Sequence, residues 1–232
     1  MIQIQEKISI NDALEMWNKY HIPKILRKHS ENVTKVCAFI AHRYCEKSII
    51  DEKTKYKIII AGLLHDLMKL ADPTTNYEKF LEENSSSEEE IKFWYEQRNK
   101  FKLLSHEKSV AQILEEQNHN HIARIIKNME FENIDNLLTY EEKILYYSDK
   151  RDEMATIVSV AERLIKASKR YIHIQDTIEK WKTLVKVQNK ILDMEKSLFE
   201  KIDALPEECN SLNDINFDDL MKKYYIDKDK KV

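Results

Sequence analysis

The chain holds a single glycine, Gly62, and only three prolines, Pro23, Pro73 and Pro206, in 232 residues. Hairpins, sandwiches and barrels need residues that adopt left-handed backbone at tight turns, and this sequence supplies almost none of them. Its 34% charged residues suit helices with one apolar stripe and a solvated remainder. The fold class that follows is all-α, and the length suffices for one large domain, or a domain with an appendage, around a substantial core.

Apolar spacing places the helices. Ser9 caps a first helix to about Tyr20, and Pro23 opens a second to Glu46 with Leu26, His29, Val33, Val36, Ile40 and Tyr44 on one stripe. His29 therefore points inward, while His42 lies off the stripe and is read as exposed. Asp51 caps a third helix, read to about Ala71, where Asp72-Pro73 stops it. Residues 72–100 form a polar excursion with short helices at Tyr77–Leu81 and from Ser87, where Glu90 completes a capping box. This excursion is read as a lid or insertion, with Ser85-Ser86-Ser87 its flexible point and Phe93, Trp94 and Tyr95 as packing residues. Further helices follow at Ser105–Glu116, around Ile122–Met129, after the Thr139/Glu142 capping box, and after Ser159. A long amphipathic helix spans about Gln175 to Ala204, ahead of a polar tail with a short helix near Phe217–Tyr225 and a charged end read as disordered. The division that results is a main domain over 1–172 and a helical extension with tail over 173–232. The long helix packs on the bundle or on a second copy, which would make a homodimer.

The formal charge of -3 argues against a general grip on long nucleic acid, and leaves room for small anionic ligands. Cys37, Cys45 and Cys209 are odd in number and show no close-set pairs of the zinc-binding kind. Reduced thiols are the simplest reading, hence a cytoplasmic protein. No apolar run approaches the roughly 20 residues of a membrane span, and Met1–Lys7 lacks a basic region followed by an apolar core.

The chemistry concentrates in Ala61-Gly62-Leu63-Leu64-His65-Asp66-Leu67-Met68-Lys69-Leu70. An adjacent histidine and aspartate in an apolar run are costly unless something binds them. Gly62, one turn earlier, permits close approach of another helix or a ligand. His29, His65, Asp66 and Asp149 are the inward-facing, metal-competent side chains, drawn from three helices. Imidazole nitrogen with carboxylate oxygen suits Mn, Fe, Co, Ni or Zn, and Mg less readily. Lys69, four residues after His65 and three after Asp66, shares their helix face in this reading and can hold a phosphate as a point charge.

His29, then His65-Asp66, then a distant Asp149 resembles the HD superfamily of metal-dependent phosphohydrolases. Leu64-His65-Asp66-Leu67-Met68-Lys69 looks like the family's LHDxxK, Arg27-Lys28-His29-Ser30 like its first histidine segment, and Ser148-Asp149-Lys150 like its ADK segment. The resemblance covers about residues 20–170 and implies an HD-type helical bundle with His29, His65, Asp66 and Asp149 as ligands of a divalent metal ion. His106 resembles the fifth histidine of binuclear members. Their later histidine has no counterpart here, where the matching region reads Ile125-Ile126-Lys127-Asn128-Met129. Mononuclear deoxynucleotidases of the superfamily have glutamate where Lys69 stands, which argues against that branch.

The function implied is hydrolysis of a nucleotide or other small phosphoester by metal-activated water, with Asp66, Asp149, Lys69 and His106 in catalytic roles. The alternatives are a di-iron oxygenase, which the missing histidine disfavours, and a regulatory module that keeps the pocket without turnover. Lys150, Arg151, Arg163, Lys166 and Arg170 form a basic series after Asp149, read either as phosphate contacts or as a solvated helix face.

Overall fold

The structure is a computed structural model, and it describes residues 8–83, 86–171 and 178–224. Helix α1 spans Ile10–Lys19 with Ser9 as a reciprocal cap, and α2 spans Lys24–Glu46. The stripe read from the sequence is buried along α2, from Leu26 through Val33, Val36 and Ile40 to Tyr44. Helix α3, Glu52–Leu64, buries nearly its whole circumference after Tyr56, as expected of a helix apolar on every side. α2 and α3 form the most extensive helix pair in the molecule. Gly62 makes their approach possible, because a Cβ there would lie 2.9 Å from Thr34 Oγ1 and 3.2 Å from Thr34 Cα.

α3 ends at Leu64, seven residues before the stop expected at Ala71. Turns over 65–68 and a 3-10 helix at Lys69–Ala71 carry the chain onward, closed by bonds from Leu67 N to Leu64 O, Lys69 N to Asp66 O and Ala71 N to Met68 O. Leu64, Leu67 and Leu70 recur at steps of three and are all buried. That spacing fits a three-residue turn as well as an α-helix, which is why periodicity overran the true end. His65 and Asp66 thus sit on a tight bend, and Lys69 does not share a helix face with them.

The 72–100 excursion contains α4, Tyr77–Glu83, and α5, Glu88–Phe101, capped by Ser87 and Glu90. Trp94 is fully buried and its Nε1 reaches His21 O at 3.4 Å. Phe93 packs edge-on against Tyr20, His21 and Trp94, whereas Tyr95 is exposed and packs no core. Arg98 Nη1 donates to the carbonyls of Leu70, Asp72 and Thr75, tying α5 to the bend. Ser85 lies outside the described residues.

Helices α6, His106–Glu116, and α7, Asn120–Lys127, precede α8, Tyr140–Asp149, which Thr139 and Glu142 cap reciprocally. A short antiparallel pairing of Asp152–Glu153 with Thr156–Ile157 then adds a two-stranded hairpin to an otherwise helical chain. Its turn residues Met154 and Ala155 take φ of 52° and 63° without glycine, so the turn escaped a search based on turn chemistry. α9, Val160–Tyr171, follows. α10 spans Ile178–Phe199, with residues 175–177 outside the described set, and it stops short of Ala204.

Beyond α10 the chain returns to the core. A 3-10 stretch at Pro206–Asp214 and helix α11, Phe217–Tyr224, bury Cys209, Leu212, Leu220 and Met221. Buried Lys35 of α2 donates to Leu212 O at 3.1 Å and to Ile215 O at 2.5 Å. Arg151 stands apart from the basic series read in the sequence: it is 1% exposed and bonds Val158 O, Tyr147 Oη, Pro206 O and Asn210 Oδ1, so it serves packing and is no solvated or phosphate-facing cation. Arg163 and Lys166 pair with Glu153 and Glu162, and the side chain of Arg170 and residues 225–232 lie outside the description. Among the described residues no helix is long and apolar enough to cross a membrane.

Candidate metal centre

Three segments converge at one end of the α2–α3 pair. α2 contributes His29, the bend after α3 contributes His65 and Asp66, and the last residue of α8 contributes Asp149. His29 Nε2 lies 3.2 Å from His65 Nε2, 3.4 Å from Asp66 Oδ2 and 3.2 Å from Asp149 Oδ1. His65 Nε2 is 3.9 Å from Asp66 Oδ1 and 3.7 Å from Asp149 Oδ1. Donor atoms bound to one ion at roughly 2.0–2.2 Å stand about 3 Å or a little more apart, so these spacings match a shared cation. His29, His65 and Asp66 each offer an atom within 4.8 Å of the others.

The tautomers decide what such a cluster needs. His65 Nδ1 lies 2.8 Å from Gly62 O, a carbonyl that only accepts, so Nδ1 carries the proton. His29 Nδ1 faces the Asp152 carboxylate at 2.9 Å, which calls for the same tautomer. Both Nε2 lone pairs therefore point into the space that Asp66 and Asp149 line with oxygens. These acceptors need a shared positive charge, which a proton on His29 or a bound cation supplies. Burial alone would depress the pKa of His29, but its bonds to Asp149 and Asp152 and the charge of Asp66 push it up to about 10. A nitrogen that holds a proton so firmly suits a divalent ion competing for the same lone pair. Burial works against the charge on Asp66 and Asp149 as well. Lys69 and His65 hold Asp66 well below the usual carboxylate range, while Lys150 and His29 do so for Asp149.

Beside this cage lies a second cluster. His106 Nε2 is 3.1 Å from Asp66 Oδ1, 3.1 Å from Lys69 Nζ and 3.3 Å from Glu107 Oε1. Its Nδ1 and backbone N both reach Asp72 Oδ2, at 2.8 and 3.2 Å. Burial and Lys69 oppose a proton on His106, yet Asp66 and Asp72 prevail and raise its pKa. Lys69 Nζ lies 3.7 Å from Asp66 Oδ1. Burial also opposes the Lys69 charge, which Asp66, Asp149 and Glu107 outweigh.

A sequence profile of the HD domain matches residues 26–167, more than half of the chain and the stretch that holds every residue of this cage. The protein belongs to the HD domain family. HD domains are typical of metal-dependent hydrolases and bind divalent metals. No curated protein and no solved structure matches the chain.

All six residues singled out in the sequence, His29, His65, Asp66, Lys69, His106 and Asp149, meet in this HD site. Sequence reasoning missed three of their supports. Asp152, which no motif marks, bonds His29 Nδ1 at 2.9 Å and accepts from Asn32 Nδ2 at 2.8 Å. Asp72, read as a helix stop, holds His106. Glu107, unremarked, is buried against it. The one available signal was spacing, since Asn32 follows His29 by three residues and Asp152 follows Asp149 by three. Asn128, in the 125–129 stretch that holds no histidine, turns to the α8 cap and donates to Glu142 Oε1 at 2.8 Å.

Proposed function

We propose that this HD protein hydrolyses a nucleotide or other small phosphoester, with His29, His65, Asp66 and Asp149 holding one divalent ion. The observation that supports this reading is the gathering of His65 Nε2, Asp66 Oδ2 and Asp149 Oδ1 within 3.2–3.4 Å of His29 Nε2. A bound ion of the Mn, Fe, Co, Ni, Mg or Zn class lowers the pKa of a coordinated water and neutralises phosphate charge. The cage opens on one side, because the side chains of His65 and Asp66 are 4% and 7% exposed while Asp149 and Lys69 reach 22% and 34%. A phosphate arriving from that side meets the Lys69 ammonium. Lys150 adds a second ammonium, its Nζ bonding Asp149 Oδ2 at 2.6 Å. Asp149 or Asp66 takes the proton of the attacking water, and the Lys69–His106 pair offsets charge on the phosphoryl oxygens.

The lack of a histidine in the 125–129 stretch weighs against an oxygenase that needs two irons. The test is phosphate release from nucleotides, dinucleotides and sugar phosphates with Mn, Co, Ni or Mg, alongside metal analysis of the purified protein. His65→Ala and Asp66→Ala are expected to lose both bound metal and turnover. Activity unchanged in these variants overturns the assignment, and metal bound with no turnover on the whole panel favours a regulatory module.

A further inference from the structure

Asp152, which bonds His29 from behind, sits in a hairpin too small to hold itself. Each strand is two residues long, and the turn between them puts Met154 and Ala155 at positive φ without glycine. An isolated two-stranded hairpin is marginal in water even at greater length. Asp152 stands opposite Ile157 in it, and Ile157 is held in turn by the chain beyond α10. The Ile157 N–H donates to Asn213 Oδ1 at 2.8 Å, and the Ile157 carbonyl accepts from Asn213 Nδ2 at 2.8 Å. Asn213 Nδ2 also donates to Asn210 O at 3.0 Å, which fixes the amide within the 206–214 stretch. From this chain of contacts we infer that Asn213 is a positioning residue for the metal centre, acting through Ile157 and Asp152 on the ring of His29.

The pattern of a short antiparallel ladder makes the contact specific. Bonded and unbonded pairs alternate along such a ladder, and one step beyond Asp152 and Ile157, Val158 N donates to Arg151 O at 2.8 Å. Asp152 and Ile157 are thus the pair that exchanges no bonds, and the N–H and carbonyl of Ile157 form an open edge. Ile157 is 2% exposed, so these groups need partners. The Asn213 amide supplies one acceptor and one donor, as a neighbouring strand would. With that edge filled, the opposite strand keeps Asp152 where Oδ2 meets His29 Nδ1 at 2.9 Å and Oδ1 accepts from Asn32 Nδ2 at 2.8 Å. Arg151 straps the same hairpin to the same stretch, through Val158 O and Asn210 Oδ1, both at 2.6 Å. Arg151 is buried, whereas Asn213 is exposed and can be replaced without opening the core. The HD profile ends at residue 167, so a segment outside the family match completes a site whose donors all lie within it.

This role rests on the metal-dependent reading above, and the experiment separates the two. Mn affinity of the metal-free full chain is measured by calorimetry, beside the urea midpoint, for the wild type, Asn213→Leu, Asp152→Ala and the double variant. Asn213→Leu keeps the size and removes the amide. It is expected to weaken Mn binding about tenfold, the low end of what losing a ligand's direct partner costs. On the Asp152→Ala background the same substitution is expected to add no further loss of affinity while still lowering the midpoint, because the route to His29 is already cut. A merely structural role would lower affinity equally on both backgrounds. Asn213→Ala repeats the cycle should the leucine variant fail to fold by circular dichroism. The unaltered protein adds a check that needs no variant: coupling is reciprocal, so bound Mn is expected to slow amide exchange in 206–214 as well as in 152–158. Wild-type affinity in folded Asn213→Leu, equal losses on the two backgrounds, or exchange in 206–214 indifferent to Mn overturns the positioning role and leaves the metal-dependent reading standing. No Mn bound by the wild type overturns that reading and this role with it.

Discussion

At the scale of single residues, the cage depends on side chains that stand behind its donor atoms. Asp152 fixes the ring of His29 from behind, and it also accepts from Asn32 Nδ2 and from Ala155 N at 3.1 Å. Partners of this kind set ligand orientation and basicity, and their loss typically costs about 10–100-fold in metal affinity. Asp152→Ala is expected to weaken Mn binding by about that factor, measured by calorimetry well below the unfolding temperature. Unchanged affinity would mean that Asp152 serves the hairpin alone. The residues that gather in the cage were legible because His65-Asp66 is a dipeptide and the other motifs are local. Their supports were not, because Asp72 and Asp152 act on rings 34 and 123 residues away, and no periodicity carries that pairing.

At the scale of elements, the site is held by the closeness of α2 and α3, and Gly62 sets that closeness. An alanine in a helix interior is worth about 1 kcal/mol over glycine. Here its Cβ would press on the backbone of Thr34 as well as its hydroxyl, and overpacking typically costs about 1–3 kcal/mol. Gly62→Ala is therefore expected to destabilise, visible as a lower urea midpoint, and to weaken metal binding by shifting His65 away from His29. A raised midpoint would show that the helices tolerate separation. Helix identities followed closely from caps such as Ser9, Ser87 and Thr139, each paired with an acidic residue three positions on. The end of α3 did not follow, because leucines at steps of three satisfy two kinds of helix equally well.

Across the whole molecule, residues far apart in sequence close the bundle. Arg151 and Lys35 are buried cations that satisfy carbonyls of the 206–215 segment, so the chain beyond α10 packs against the helices that carry the site. Sequence reading took the tail for a polar appendage because its apolar residues are few, yet Leu212, Leu220 and Met221 are all buried. The Arg98 clasp has a consequence in time. One guanidinium nitrogen holds three carbonyls of the segment leading out of the bend, and the guanidinium also stacks on Tyr77 at 4.3 Å. It pins α5 and the start of α4, while of the residues in α4 only Leu81 is fully buried. Opening of the 72–100 excursion should then begin at the far end of α4, with α5 remaining closed. Amide hydrogen exchange is expected to be fast toward Glu83 and slow from Ile91 to Phe101, with Arg98→Ala bringing the two rates together. Equal protection in the unaltered protein would mean that the excursion moves as one piece, with the clasp setting no order of release.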